Sequence, residues 1–309
     1  MTHATLGVLM ANYNHARYLK ASIGAIVTQS RPPDEFVIID DASTDNSWEI
    51  IQDYARQYPY IRALRNPSNL GATETANRAL SLLASEYIHS AAADDLVLPG
   101  FFDTSIQVLA KFPEAGLCCS RPAYFTDTDP VPTCHPSTLN DVGMGYLSPD
   151  KVVRAMKYGK LNIAGHTSVT SLRALKAVGG YLPELKWYCD WFAHLVIGFR
   201  QGICNIPEAL AAYRLSPSSY SAVGSRNRDE KHAALDRILH LLKQPAYQDV
   251  FPAFRESRAF CHHDWDLVRL IVGNPKHHDI QTLSLIWAPL FFGLKGRLAD
   301  AMPASRKRL

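Results

Sequence analysis

The sequence predicts an α/β protein built on a central, mostly parallel sheet flanked by helices, with a helical C-terminal extension. Three observations predict it. Short apolar runs alternate with segments of helical apolar period through the first 125 residues. Acidic pairs follow two of those runs, Asp40-Asp41 after Val37-Ile38-Ile39 and Asp94-Asp95 after Tyr87 to Ala91. From Ser225 onward only the helical period remains.

Taken in order, Leu6 to Ala11 reads as a strand, and Tyr18 to Thr28 as a helix with Leu19, Ile23 and Ile26 on one face. Phe36 to Ile39 is the next strand. Its acidic turn leads to Asn46, three residues before Glu49, which is the spacing of a capping box for a helix carrying Ile51, Tyr54 and Tyr58. Ile61 to Leu64 reads as a strand, Asn69-Leu70-Gly71 as a turn, and Ala76, Ala79, Leu80 and Leu83 as a helical face. Tyr87 to Ala91 is a strand, Pro99-Gly100 opens a helix through Phe102, Ile106 and Leu109, and Gly116 to Ser120 is strand-like. Residues 126 to 148, rich in Pro and Thr with Gly143 and Gly145, read as one long loop of the kind that often forms a lid. Thr167 to Leu172 resumes a strand, Arg173 to Val178 a short helix closed by Gly179-Gly180, and Asp190 to Phe199 a helix. Ile203 to Arg214 reads as one or two strands interrupted at Pro207. Beyond Ser225, Leu235, Ile238, Leu239 and Leu242 line one helix, and Val268 to Val272 lies in a second.

The bulk numbers narrow the function. At 309 residues, 47% hydrophobic and 20% charged, the chain suits a globular protein with one large domain and an appendage. A formal charge of +3, with no basic stripe interleaved with aromatics, argues against nucleic acid as a partner. The six cysteines form no CxxC pair, which predicts buried reduced thiols in a cytoplasmic protein. Neither a signal peptide nor an apolar run of about 18 residues is expected. The tail from Leu283 to Leu309 mixes Trp287, Leu290, Phe291 and Phe292 with Lys295, Arg297, Arg306, Lys307 and Arg308. It reads either as an amphipathic segment on an anionic membrane surface or as a docked helix with a basic end.

The two acidic pairs carry the chemistry. Ends of parallel strands face one edge of a sheet, so four carboxylates are expected to line one cleft. Oxygen ligands of this kind suit a hard divalent cation that also holds substrate phosphates. A third acid, Asp190, stands between Trp187-Tyr188-Cys189 and Trp191. Framed by aromatics, its pKa would rise and make it a general base; it is equally placed to cap the helix that follows. His166 and His194 are candidates for substrate contact or for plain structural hydrogen bonds. Cys261-His262-His263-Asp264 resembles a metal cluster, but adjacent side chains diverge on a helix.

In this order the motifs carry a resemblance. Ala11-Asn12-Tyr13-Asn14-His15, Val37 to Asp45, Asn69-Leu70-Gly71, and Ala93-Asp94-Asp95 with Pro99-Gly100 come first. Arg173 with Gly179-Gly180-Tyr181, Asp190-Trp191 and Tyr213-Arg214 follow, covering roughly residues 5 to 220. The chain resembles the inverting nucleotide-sugar glycosyltransferases of family 2, which have the Rossmann-like GT-A fold. The resemblance implies a transferase domain over residues 1–224, with a nucleotide-binding half (1–125) and an acceptor half (126–224), and an extension over 225–309. It implies a nucleotide site at Asn12, Tyr13, Asp40, Asp41, Asn69 and Asp94, with Tyr13 packed on the base and Asp40 binding it. It places the metal, Mn²⁺ or Mg²⁺, on Asp94 and the catalytic base on Asp190, with Asp95, His166, Trp191 and Arg214 on the acceptor or diphosphate side. Arg214, with Ser219, Tyr220 and Ser221, is expected to close over the diphosphate or to form a surface loop.

The chain departs from the family's Asp-x-Asp motif at its first acid, which here is Ala92. The donor implied is a nucleoside-diphosphate sugar, most simply a UDP-sugar. The acceptor implied is a glycan or lipid-linked hydroxyl in a surface polysaccharide pathway. Ala92 also admits a non-catalytic nucleotide-sugar-binding protein on the same fold. A nucleotidyltransferase fits less well, because Asn12-Tyr13-Asn14-His15 is not a glycine-rich basic phosphate loop.

Overall fold

The computed structural model describes residues 4–127, 142–217, 219–260 and 264–286. It divides into two compact units, Met1–Gly224 and Ser225–Leu309. The first begins with β1 (Leu6–Asn12), α1 (Ala16–Val27), β2 (Glu35–Asp40), α2 (Ser47–Gln57), β3 (Ile61–Arg65), α3 (Ala72–Ser81) and β4 (Tyr87–Ala92). These four strands pair in parallel in the order β3-β2-β1-β4. The apolar runs of β1, β2 and β4 are buried on both faces, as covered parallel strands must be, while edge strand β3 buries only Ile61; Leu6, Val8 and Met10 pack with Leu19, Ile23 and Ile26 of α1.

The expected capping box at α2 does not form. Asn46 makes no side-chain cap bond. Asp45 takes the role instead, accepting from the N–H of Ser47 and the N–H of Ala16 at 3.0 Å each, so one carboxylate serves the starts of two helices.

After β4 come β5 (Leu96–Val97), α4 (Phe101–Lys111), β6 (Leu117–Phe125), β7 (Gly145–Leu147), α5 (Pro149–Lys157), β8 (Ser168–Ser171), α6 (Leu172–Ala177), α7 (Cys189–Gln201), β9 (Ile203–Arg214) and α8 (Tyr220–Arg226). β8 runs antiparallel between β4 and β6, β9 lies parallel to β6, and β5 and β7 pair antiparallel with β9. The sheet is therefore mixed, parallel from β3 to β4 and largely antiparallel beyond β4. Two expectations change here. The expected strand over Gly116 to Ser120 runs on to Phe125, with register shifts around Arg121 where β9 carries its Pro207. Part of the expected loop is a strand, because Gly145 to Leu147 pairs with Ile203 to Asn205. Residues 128–141 of that loop, including Cys134, lie outside the described residues. Cys118, Cys119 and Cys204 are buried and Cys189 half-buried, all as free thiols.

The second unit contains α9 (Arg228–Leu242), α10 (Phe251–Glu256) and α11 (Asp264–Gly273). A reciprocal cap opens α9: the Asn227 side chain accepts the Glu230 N–H at 3.2 Å and donates to Glu230 Oε1 at 3.0 Å. Leu235, Ile238, Leu239 and Leu242 are buried as the periodicity predicts. Ion pairs tie α9 to later segments, Lys231 with Asp266, and Lys243 with Asp279 at 2.7 Å. Cys261, His262, His263 and the tail from Trp287 onward lie outside the described residues. Among the described residues, no helix is long and apolar enough to cross a membrane.

Candidate active site

The register aligns Asn12 of β1 with Asp40 of β2, and Ala11 with Ala92 of β4. The carboxyl ends of three strands thus stand side by side, and the connections reverse direction across β1, where open α/β sheets leave a crevice.

On the β2 side the protein occupies its own carboxylates. Asn12 Nδ2 donates to Asp40 Oδ1 at 3.0 Å, while Asp40 Oδ2 accepts the Ser43 N–H at 3.1 Å and pairs with Arg65 Nε at 3.1 Å. Asp41 accepts from Asn66 Nδ2 at 2.6 Å and from the N–H groups of Leu70 and Gly71 at 2.9 Å each. The exposed Asn69 contributes by accepting the same Gly71 N–H at 2.9 Å. Asp41 therefore ties the 66–71 loop to the start of α3 and shapes that edge from within. Tyr13, next in the chain after Asn12, is 43% exposed.

On the β4 side a cavity of about 330 Å³ opens. Its floor is Leu9 and Ala11 of β1 with Ser90 and Ala92 of β4, and its wall is Ala72, Thr73 and Ala76 of α3. Asp94, Asp95, His166, Asp190 and Arg214 all reach it; Asn12, Tyr13, Asp40, Asp41, Asn69 and Trp191 do not line it. Of the four carboxylates expected in one cleft, two are present and two are buried behind the neighbouring strand end.

The cavity acids differ in environment. Asp94 is half-buried, and among the described residues its carboxylate makes no hydrogen bond. Asp95 is 7% exposed and accepts the Arg214 N–H at 2.7 Å. Burial, with Asp94 beside it, pushes its pKa well above the usual carboxylate range. Asp190 is the second residue of α7, not its cap, and its Oδ1 accepts the Trp191 N–H at 2.7 Å. Burial raises its pKa as well. Asp190 Oδ2 makes no hydrogen bond among the described residues.

Arg214 is an anchor. Its Nε donates to the Asp94 carbonyl at 2.9 Å, its guanidinium pairs with Asp127, and it lies 4.1 Å over the Tyr18 ring. It braces the Asp94-Asp95 turn. His166 is buried, its backbone N–H donating to the Tyr213 hydroxyl at 2.9 Å and its Nδ1 accepting the Ala92 N–H at 3.4 Å. Burial lowers its pKa to about 4, so the imidazole is neutral at pH 7. His194 does not reach the cavity; it bonds Thr170 at 3.2 Å and is structural.

Two lining residues, Gly165 and Lys186, escaped the sequence reading. Gly165 adjoins Asp190 together with Cys189 and Tyr181, which the sequence motifs already contained. Lys186 at the cavity lip holds φ 52 and ψ −126, strained backbone of a kind that collects at functional sites. The small residues Ala72, Thr73 and Ala76 share one face of a helix that starts directly after the Asn69-Leu70-Gly71 turn, a signal the sequence did carry.

The strand order, the crevice at β1 and β4, and the acids at its mouth define an α/β scaffold of the GT-A type. The chain belongs to glycosyl transferase family 2, which matches residues 7–178. The uncharacterized glycosyltransferase YibD of Escherichia coli is 35% identical over 99 residues, 32% of this chain and 28% of that protein. Glycosyltransferase GlyG of Streptococcus pneumoniae is 31% identical over 102 residues, 33% of this chain and 34% of that protein. The chain thus matches about a third of the length of these relatives. Among solved structures, S. aureus TarS 1–349 in complex with UDP-GlcNAc superimposes with a TM-score of 0.67 at 15% identity, covering 96% of this chain and 88% of that one. The mannosyltransferase PcManGT from Pyrobaculum calidifontis, in complex with GDP-Man and Mn²⁺, gives 0.60 at 16% identity, covering 95% and 81%. Those likenesses establish the shared fold.

Proposed function

We propose that the protein is an inverting glycosyltransferase that moves a sugar from a nucleoside-diphosphate sugar, UDP-sugar first, to a hydroxyl of a glycan or lipid-linked acceptor. The observation that carries the reading is one cavity lined by both an unpaired carboxylate at the end of β4, Asp94, and a half-buried carboxylate with a free oxygen, Asp190. Family membership supports the activity, and two proteins of the same fold bind UDP-GlcNAc and GDP-Man.

Asp94 is the residue that would hold a divalent cation, Mn²⁺ or Mg²⁺. Among the described residues no three His, Cys, Asp or Glu converge, Ala92 offers no ligand, and Asp94 presents an open carboxylate. A hard cation held by one carboxylate, with waters and substrate phosphates, needs no more. Such a cation, when bound, neutralises charge on the departing diphosphate.

The chain's own residues do the rest. Tyr13 offers a face to the base, and the Asp41-tied loop holds the edge of the nucleotide site. Asp190, its Oδ1 held by Trp191, takes the acceptor hydroxyl proton on Oδ2 as that oxygen attacks the anomeric carbon opposite the leaving group. A base with a raised pKa is suited to this, because its affinity for the proton is closer to that of the attacking hydroxyl. One displacement inverts the stereochemistry without a covalent intermediate.

Titration of UDP, GDP and dTDP with and without Mn²⁺ tests the donor half; binding of one nucleotide that rises with metal is expected. Ala92 supports a second reading, a nucleotide-sugar binder without turnover. Slow hydrolysis of the bound donor without acceptor favours the enzyme, and its complete absence favours the binder. We further propose that the basic, aromatic tail brings the enzyme to the cytoplasmic face of a membrane, where deletion of residues 283–309 should release it to the soluble fraction.

A further inference from the structure

Gly165 lies in the turn Gly165–Thr167, against the start of α7. Its φ lies outside the left-handed region, so the backbone there would accept any residue. What forbids a side chain is space. A Cβ on Gly165 would stand 1.9 Å from Asp190 Oδ2 and 3.0 Å from its Cγ, with no other atom so close. The glycine is therefore explained by the carboxylate that occupies the volume of its missing methyl.

The arrangement holds Asp190 from two sides. Oδ1 is tied to the Trp191 N–H at 2.7 Å, and Oδ2 rests against the bare Cα of Gly165 at the cavity wall. The turn that carries Gly165 is itself clamped to two strands. The His166 N–H donates to the hydroxyl of Tyr213 on β9 at 2.9 Å, and His166 Nδ1 accepts the N–H of Ala92 on β4 at 3.4 Å. Within the turn, the hydroxyls of Thr167 and Ser168 both donate to the Ala164 carbonyl, at 3.0 and 2.8 Å.

We infer that Gly165 is a positioning residue for the base: by presenting no side chain it admits the Asp190 carboxylate to the cavity wall with Oδ2 aimed at the acceptor. His166 and Tyr213 serve the same end by fixing the turn. This inference rests on the reading of Asp190 as the base. A methyl at 165 meets the far end of a side chain that can rotate, so the fold accommodates it by turning the carboxylate away. A displacement on the order of 1 Å at a reacting group costs up to about 100-fold in rate.

The test is Gly165→Ala, measured beside Asp190→Asn and in an Asp190→Ala background. In Gly165→Ala, kcat should fall roughly 10- to 100-fold while donor KM and nucleotide Kd stay within about twofold. The acid limb of the kcat profile should move to lower pH, because a carboxylate turned out of its buried seat is better hydrated. A purely structural glycine would not move that limb. The thermal cycle reads the contact itself: at a pH where Asp190 is protonated, so that no buried charge is relieved, Gly165→Ala should lower Tm by roughly 2–4 °C in the wild-type background and leave it unchanged or higher with Asp190→Ala. Unchanged kcat and acid limb in Gly165→Ala, with Asp190→Asn inactive, would overturn this inference alone. Equal Tm losses in both backgrounds would overturn it too. Full kcat in Asp190→Asn would overturn the base reading and the positioning role with it.

Discussion

At the carboxyl end of β2, Asp40 and Asp41 are 0% and 2% exposed, and each of their oxygens accepts a hydrogen bond or ion pair from the protein. At the carboxyl end of β4, in the same sheet and on the same edge, Asp94 keeps its carboxylate open to a cavity and only Asp95 is tied. The residue types and strand positions match; the neighbours differ. β2 is flanked by β1 and β3, both parallel to it, whose ends supply Asn12 and, just beyond Arg65, Asn66. β4 is flanked by β1 and by the antiparallel β8, which brings an incoming turn to that edge instead of another strand end. The change of direction leaves the gap, and the gap leaves carboxylates free to act.

The largest effect that could break this comparison comes from the open side. Asp190→Asn should lower kcat by about 10²- to 10⁴-fold with nucleotide affinity held within about twofold, read by steady-state kinetics and titration. The same variant should gain stability at neutral pH. The folded pKa of Asp190 is raised, so the stability present below the usual carboxylate range is lost as pH rises through the folded value. An asparagine escapes that loss, and the Tm difference should vanish where Asp190 is protonated in both states.

Next comes a matched pair. Asp41→Ala strands the Leu70 N–H and takes one of two acceptors from the Asn66 amide, which keeps Thr75, and from the Gly71 N–H, which keeps Asn69; it should cost about 1–3 kcal/mol in denaturant unfolding. Asp94→Asn should change stability by less than about 0.5 kcal/mol yet weaken metal-dependent nucleotide binding by about tenfold or more. If the two variants behave alike, the distinction between closed and open carboxylates fails.

The third effect concerns the seam between the regions. His89, His166 and His194 are buried, with pKa values lowered from 6.5 to about 3, 4 and 4. The unfolded chain takes up these protons first, so stability should be full above about pH 6.5 and fall as pH drops toward 4. His194→Gln should flatten the slope of Tm against pH by about one proton's worth. The smallest effect sits in the closed turn. Ala42 holds φ 59, and Ala42→Gly should raise stability by roughly 0.5 kcal/mol, the relief of strain exceeding the entropy lost by glycine.

Much of this molecule was readable in advance. The alternation through β4 followed from runs such as Val37-Ile38-Ile39, whose length and β-branching leave little choice, and from helix faces such as Leu19, Ile23 and Ile26. Gly145 to Leu147 was not readable as a strand, because its pairing partner Ile203 to Asn205 lies some sixty residues away and two glycines say turn. The capping box at Asn46 was locally plausible and lost to Asp45, which serves two helices and so gains from a contact that no local window contains.

What the sequence determined by itself was the order of elements, the edge on which the acids stand, and the family resemblance that singled out Asp94 and Asp190. These rest on periodicity and on motifs a few residues long. What only the tertiary structure decided was which carboxylates are free, that Arg214 braces a turn, and why residue 165 is glycine. Each depends on atoms brought together from strands and turns far apart in the chain. Hydrogen bonds and excluded volume act over a few ångströms, and only the folded sheet sets those distances.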